Sequence, residues 1–177
     1  MTATLAGDGF ALRRATEADV DFLVELASHE EVEPFMAAVS ARGRDELLEE
    51  VRRSDDDPQH HGRFVVEVEG EPAGALAFSV ENRRSRIASL HAIMLHPGHR
   101  GRGLGVAATR LFVRHLVFDL GYHRVQLEVY GFNERALGLF ERVGFVREGV
   151  RRRAYDRHGD WADGVLFGLV REDFEDG

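Results

Sequence analysis

The side chains and spacing most suited to chemistry lie in Arg100-Gly101-Arg102-Gly103-Leu104-Gly105. Three glycines at alternate positions remove side chains where a backbone must turn and come close to a ligand. Opening a helix, such a loop adds unpaired amide N–H groups and the positive end of the helix dipole. Together these make a cradle for an anionic phosphate group, and Arg100 and Arg102 can add charge-assisted hydrogen bonds. Two better-known phosphate loops do not fit. The nucleotide-triphosphate loop needs Gly-Lys-Ser/Thr, and all 23 basic residues here are Arg. The dinucleotide fingerprint Gly-x-Gly-x-x-Gly, counted from Gly101, puts Val106 where its last glycine should stand.

Composition narrows the chemistry further. The chain has 177 residues, no Cys and a formal net charge of -8. Its length suits one domain, 1–177, with a core from about 10 to 170. Without Cys there are no disulfides, thiolate nucleophiles or thiolate metal sites, and without Lys there is no Schiff-base mechanism. The acidic balance argues against nonspecific nucleic-acid binding and fits a cationic partner such as an amine. His96, His99, His60 and His61 match no metal-ligand spacing, so no metal is expected. No apolar run reaches the length of a membrane span, and Met1 to Ala11 lacks the pattern of a signal peptide, so the expectation is a cytoplasmic protein.

The elements that must position the loop can be read from periodicity. Phe10 to Arg14 is strand-like, and Thr16 caps a helix with an apolar stripe at Val20, Leu23, Val24 and Ala27. Asp45 to Arg53 reads as a second helix. Phe64 to Val68 and Ala73 to Val80 are strands around the Glu69-Gly70-Glu71-Pro72 turn, and Ile87 to Leu95 is the next strand. A helix from Gly105 to about Leu120 follows the loop, then a strand from Val125 to Val129. Asn133 caps a helix that buries Ala136, Leu137, Phe140 and Val143 and stops at Gly144. Late strands at Phe145 to Val146 and Val165 to Val170 flank a polar segment, Arg151 to Gly164. The fold class is α/β, with strands consecutive in the middle and helices between the later ones.

The Arg-x-x-Gly-x-Gly pattern after an apolar strand, followed by Asn133-x-x-Ala136-x-x-x-Phe140 and Gly144-Phe145, resembles the signatures of the Gcn5-related N-acetyltransferase (GNAT) family. Val146-Arg147-Glu148-Gly149 and the turn His158 to Asp163 are similar to its ribosomal-protein and spermidine N-acetyltransferase branch. The resemblance is specific from Leu90 to Gly149. It implies a mixed, mostly antiparallel sheet flanked by helices, whose fourth and fifth strands are parallel and splay apart. It implies an acyl-CoA-dependent N-acetyltransferase, with acetyl-CoA as acyl donor and no metal. The pyrophosphate would sit on Arg100, Gly101, Arg102, Gly103, Leu104 and Gly105. The pantetheine arm would run along the backbone of Ile93, Met94 and Leu95, with Asn133 and Phe140 on the opposite wall. Asn133 can serve as helix cap at the same time.

Such an enzyme carries out direct attack of a neutral amine on a thioester, with the oxyanion stabilised and the thiolate taking up a proton. The resemblance supplies the oxyanion donor as a backbone N–H of Met94 or Leu95. For a base, strand alternation places Ser89, His91, Ile93 and Leu95 on one face. His91, nine positions before Arg100, resembles in its place one of the two base-relay histidines of serotonin N-acetyltransferase; a hydrogen-bonded core histidine is the equal alternative. Glu128 is the reserve base. The family's acidic Tyr is replaced here by Phe140, which leaves Tyr155, Tyr130 or Ser89 as donors, or no dedicated acid at all. A thiol of pKa about 8–9 makes that last option tolerable. Glu31 and Glu33, in an acidic run after the first helix, are candidates to bind the acceptor, a peptide N-terminus or a polyamine-like amine. Arg151-Arg152-Arg153 could face an acidic peptide or the 3′-phosphate. Pairing into a homodimer is compatible with the sequence, which does not fix the oligomeric state. The rival reading is an acyl-CoA-binding sensor with weak catalysis, kept open by Phe140.

Overall fold

The structure, a computed structural model, describes residues 4–36 and 43–175. Strands form where apolar residues alternate or run together: β1 Leu5–Ala6, β2 Ala11–Arg14, β3 His61–Val68, β4 Glu71–Asn82, β5 Ile87–Leu95, β6 Arg124–Tyr130, β7 Val146–Arg157 and β8 Asp160–Val170. Helices follow the 3.6-residue stripes: α1 Val20–Ser28, α2 Arg44–Asp56, α3 Leu104–Arg114, α4 Glu134–Val143 and α5 Arg171–Glu175. One eight-stranded sheet results, in the order β1-β2-β3-β4-β5-β6-β8-β7. Every neighbouring pair is antiparallel except β5 and β6, which run parallel with α3 as the crossover.

Each face of the sheet carries its own apolar cluster. On one face α3 and α4 bury Phe112, Leu116, Leu137 and Phe140 against Phe64, Phe78, Leu127, Val165 and Phe167. On the other, α1 and α2 bury Leu23, Leu26, Leu47 and Val51 against Val65, Ala75 and Met94. That second cluster takes nothing from β6, β7 or β8. The half of the sheet they form therefore presents a polar face that α1 and α2 do not cover. This asymmetry leaves room for a site.

Sequence and structure differ at several places. β1 is too short to give a periodic signal. The polar segment Arg151 to Gly164 is not a loop: β7 and β8 run through it as a two-stranded ribbon turning at His158–Gly159. Its residues are mostly exposed, so hydrophobic alternation could not reveal it. The helix after the glycine loop starts at Leu104, with Gly103 as its N-cap, and its last turn, His115–Asp119, widens into a π-helix. Thr16 stands at the N-cap position, yet its amide and hydroxyl both donate to the Asp19 carboxylate, at 2.7 and 3.2 Å.

Candidate active site

The parallel pair β5–β6 is paired over only three rungs, Ile87↔Arg124, Ala88↔Val125 and Ser89↔Gln126. Beyond Ser89 the strands part, and a cavity of about 700 Å³ opens between them. The two residues just past the last rung on the uncovered face are His91 on one wall and Glu128 on the other, and both line the cavity. From Leu90 to Leu95, β5 pairs with β4 alone, so the backbone groups on its β6 side face the cleft without a strand partner.

β5 is not regular along that edge. Ala92 has φ of 51°, and the pairing with β4 shifts register between His91 and Met94. This bulge inserts one residue and turns the strand over. Met94 and Ala92 then join the α1–α2 cluster, while Ile93 packs with Ala88 and Leu90 on the other face. The alternation expected for Ser89, His91, Ile93 and Leu95 therefore breaks at Ala92. Ser89 and His91 stay together, and Ile93 moves to the opposite face. Ile93, Met94 and Leu95 all line the cleft.

His91 sits across Ala77 from Arg63 in the β3–β4–β5 register, and Arg63 is only 2% exposed. Burial first, then the charge of Arg63 and then that of His61, push the His91 imidazole down to about 4. An unperturbed imidazole near 6.5 is thus not what the cleft contains; His91 is neutral throughout the physiological range.

The glycine loop divides its labour. Gly101 and Gly103 have φ of 81° and 74°, in the left-handed region, and an added Cβ at either would meet nothing within 4 Å. They are there for conformation. Gly105 is there for space: its Cβ would come within 2.8 Å of Leu139 and 3.3 Å of Leu95, where α3 meets α4 and β5. Arg100 and Gly105 line the cavity, whereas Gly101, Arg102, Gly103 and Leu104 form the turn outside its lining, with Arg102 exposed. The Arg100 guanidinium donates to the Glu31 carbonyl at 3.0 Å and lies 4.0 Å from the Glu31 carboxylate. Burial and the nearby Arg135 lower its pKa. Arg135, on α4, also lines the cleft and has no motif of its own in the sequence.

On the far wall the Asn133 side chain accepts from the Ala136 amide at 3.2 Å, which makes it the cap of α4, and it also lines the cleft. Phe140 reaches the cavity lining but is 4% exposed, with ring centroids 5.7 Å from Phe145 and 6.0 Å from Phe167. It is a core residue at the cleft edge with no proton to give.

The uncovered face carries a set of polar contacts that sequence reading caught only in part. Tyr155 on β7 donates its hydroxyl to Glu128 on β6, across β8, and Arg151 Nε lies 3.1 Å from the other Glu128 oxygen. The bond to Glu128 raises the Tyr155 pKa, so its hydroxyl stays protonated. The contact exists because β8 has Gly164 between them: a Cβ there would lie 2.7 Å from the Tyr155 ring and 2.8 Å from a Glu128 oxygen. Gly168 does the same for the bidentate pair of Arg124 with Glu148, whose atoms a Cβ would approach to 2.5 and 2.4 Å. Where the strands begin to part, the Ser89 hydroxyl donates to Glu81 at 2.9 Å. Glu81, Arg124, Gln126 and Glu148 line the cavity and were not candidates. The signal that could have found two of them is Gly164-x-x-x-Gly168 in a strand, a mark of side chains meeting over a backbone. Of the acidic run, Glu31 lines the cavity; Glu33 is half-buried in the 3₁₀ turn beside it and does not. Arg152 and Arg153 are exposed outside the lining.

Among the described residues no group of three or more His, Asp or Glu side chains is placed to hold a metal ion. No helix among them is long and apolar enough to cross a membrane.

The chain is similar to known proteins in both sequence and fold. Residues 22–145, more than half of the chain, match the acetyltransferase (GNAT) family model, and the chain belongs to that family. A SPbeta prophage-derived uncharacterized N-acetyltransferase of Bacillus subtilis, YokL, is 30% identical over 114 residues, covering 64% of each chain. The spermidine N(1)-acetyltransferase of Escherichia coli K12 is 29% identical over 116 residues, 66% of this chain and 62% of that enzyme. The chain thus spans a little under two thirds of the length of these relatives. Among solved structures, the spermidine N-acetyltransferase of Vibrio cholerae in complex with CoA and spermine superposes with a TM-score of 0.84 at 23% identity, covering 96% of this chain and 99% of the other. The ribosomal-protein-S5-alanine acetyltransferase of Vibrio fischeri gives 0.83 at 16% identity, covering 97% and 98%. At these identities the likeness concerns the fold.

Proposed function

We propose that the chain transfers an acetyl group from acetyl-CoA to a primary amine, by direct attack within a complex of both substrates. The observation that carries this reading is the parting of β5 and β6 after Ser89↔Gln126, which sets an unpaired backbone edge opposite Asn133 and leads to a phosphate-type turn. The residues fit such a donor: Gly101 and Gly103 leave the turn bare, and the edge of Ile93, Met94 and Leu95 is free to pair with an amide-bearing arm. Bound there, acetyl-CoA would supply the thioester. Arg100, Arg102 and the amides from Gly101 to Gly105 would hold its pyrophosphate. An amide of Met94 or Leu95 would stabilise charge developing on the carbonyl oxygen.

The chain's own groups account for the protons. His91, held neutral, accepts a hydrogen bond from the incoming amine or a water and fixes its direction rather than storing the proton. Glu128, on the facing wall, is the base with access to that proton. Tyr155, protonated and bonded to Glu128, is the hydroxyl that can return a proton to the leaving thiolate. Glu31, which lines the opening beside Arg100, would meet the acceptor amine.

The test is release of free thiol from acetyl-CoA with a panel of primary amines and N-terminal peptides, beside CoA titration by calorimetry. The proposal expects amine-dependent thiol release. Tight CoA binding with no release across the panel would establish the sensor reading instead.

A further inference from the structure

The same cleft carries information about the acceptor, and this inference rests on the transferase reading. Four carboxylates line the cavity. Three already have a cation: Arg100 lies 4.0 Å from Glu31, Arg151 lies 3.1 Å from Glu128, and Arg124 makes a bidentate pair with Glu148. Only Glu81, bonded to the Ser89 hydroxyl, has no cationic partner among the described residues. Arg135 also lines the cavity, so four carboxylates face four arginines and a polycation would find no row of uncompensated charge. A single cation can still be met locally at Glu81, which is bonded to a neutral hydroxyl.

Beside the charged lining stands an aromatic pair. Phe35 lines the cavity and Phe132 packs next to it outside the lining; they are 44% and 47% exposed, with ring centroids 6.0 Å apart. They come from the 3₁₀ turn Glu33–Phe35 and from the turn that follows β6. Both are braced. Phe132 stacks on Tyr130 at 5.2 Å, Tyr130 meets Tyr155 edge-on at 5.6 Å, and Arg157 lies over the Tyr130 ring while donating to the Pro34 carbonyl at 2.7 Å. Rings held in this way offer apolar area at small entropic cost.

We infer that the acceptor is a monoamine carrying an aromatic or bulky apolar group, seated against the exposed Phe35–Phe132 pair, with its single cationic amine directed to Glu81 in the cleft. Aromatic selection and charge selection are separable there.

The experiment compares kcat/KM for phenethylamine and for the diamine cadaverine, by thiol release, in the wild-type chain and in the Phe35→Ala/Phe132→Ala variant. Both phenylalanines are half exposed, so the variant keeps the core intact. The expected result is at least a 10-fold preference for phenethylamine, falling toward parity in the variant. Glu81→Gln should lower kcat/KM for phenethylamine severalfold. A preference for cadaverine, or a ratio that the variant leaves unchanged, would overturn the inference. So would a dimer that the double substitution splits without altering the ratio, because the rings would then be an interface. Thiol release with neither amine nor any member of the wider panel would instead overturn the transferase reading itself.

Discussion

Two glycine-dependent regions flank the cleft, and they use the residue for opposite reasons. In the turn from Arg100 to Gly105, Gly101 and Gly103 have empty space around them and a left-handed backbone. In β8, an added Cβ at Gly164 or Gly168 would strike side chains reaching over the strand from β6 and β7. The first pair gives the turn a backbone that the proposed donor site would use to wrap an anion. The second lets an acid, a phenol and an arginine meet across a strand. On the proposed reading the donor site rests largely on main chain and the acceptor site on side chains, so damage to one should spare the other.

The strongest way to break that separation is at the turn. Gly101→Val with Gly103→Val forces two L-residues into the left-handed region, at about 1–2 kcal/mol each. CoA affinity measured by calorimetry should fall ~100-fold, and the strain should also lower the melting temperature by several degrees while leaving a cooperative transition. The converse substitution, Gly164→Val, displaces the Glu128 carboxylate and the Tyr155 ring. Misplacing catalytic groups by an ångström can cost about 100-fold, and the expected outcome is a loss approaching that in kcat with CoA affinity within about 2-fold. Loss of CoA binding in this variant would end the distinction.

His91 belongs to the wall shared by both sites, and acid should expose its burial. The folded imidazole stays neutral down to about 4, whereas the unfolded one takes a proton near 6.5. The unfolded state therefore binds more protons in that window, and stability falls as pH drops from about 6.5 toward 4. The full difference is worth about 3 kcal/mol. Urea denaturation across this range should show a steeper loss for the wild type than for His91→Gln. For the same reason kcat/KM should show no limb near 6.5 belonging to His91, and should rise with pH toward the pKa of the acceptor amine. The smallest effects concern the missing hydroxyl. Tyr155→Phe should slow thiol release about 10-fold, while Phe140→Tyr should change it less than about 3-fold, because Phe140 is packed against Phe145 and Phe167.

The glycine turn and the helices beside it were legible in the sequence, because their signals are local. The Arg100-to-Gly105 spacing, the Asn133 cap and the Gly144 stop each declare themselves within a few residues. The polar face opposite is made of residues far apart in the chain, such as Glu128 with Tyr155 and Arg124 with Glu148, on strands whose pairing no local pattern specifies. The bulge at Ala92 was hidden too: nothing about an alanine announces a positive φ, yet it decides which way Ile93 and Met94 face. The polar ribbon of β7 and β8 escaped because both its surfaces are wet, and periodicity reports burial rather than strand geometry.

Direct transfer across the parted strands is the centre of this account, and isotope-labelled donor tests it most directly. With acetyl-CoA carrying a ¹³C-labelled acetyl group and a primary amine acceptor, mass spectrometry should find the label on the amine nitrogen in step with free thiol, and none retained on the protein. Label held covalently by a side chain during turnover, or CoA bound without any labelled amine, would contradict it.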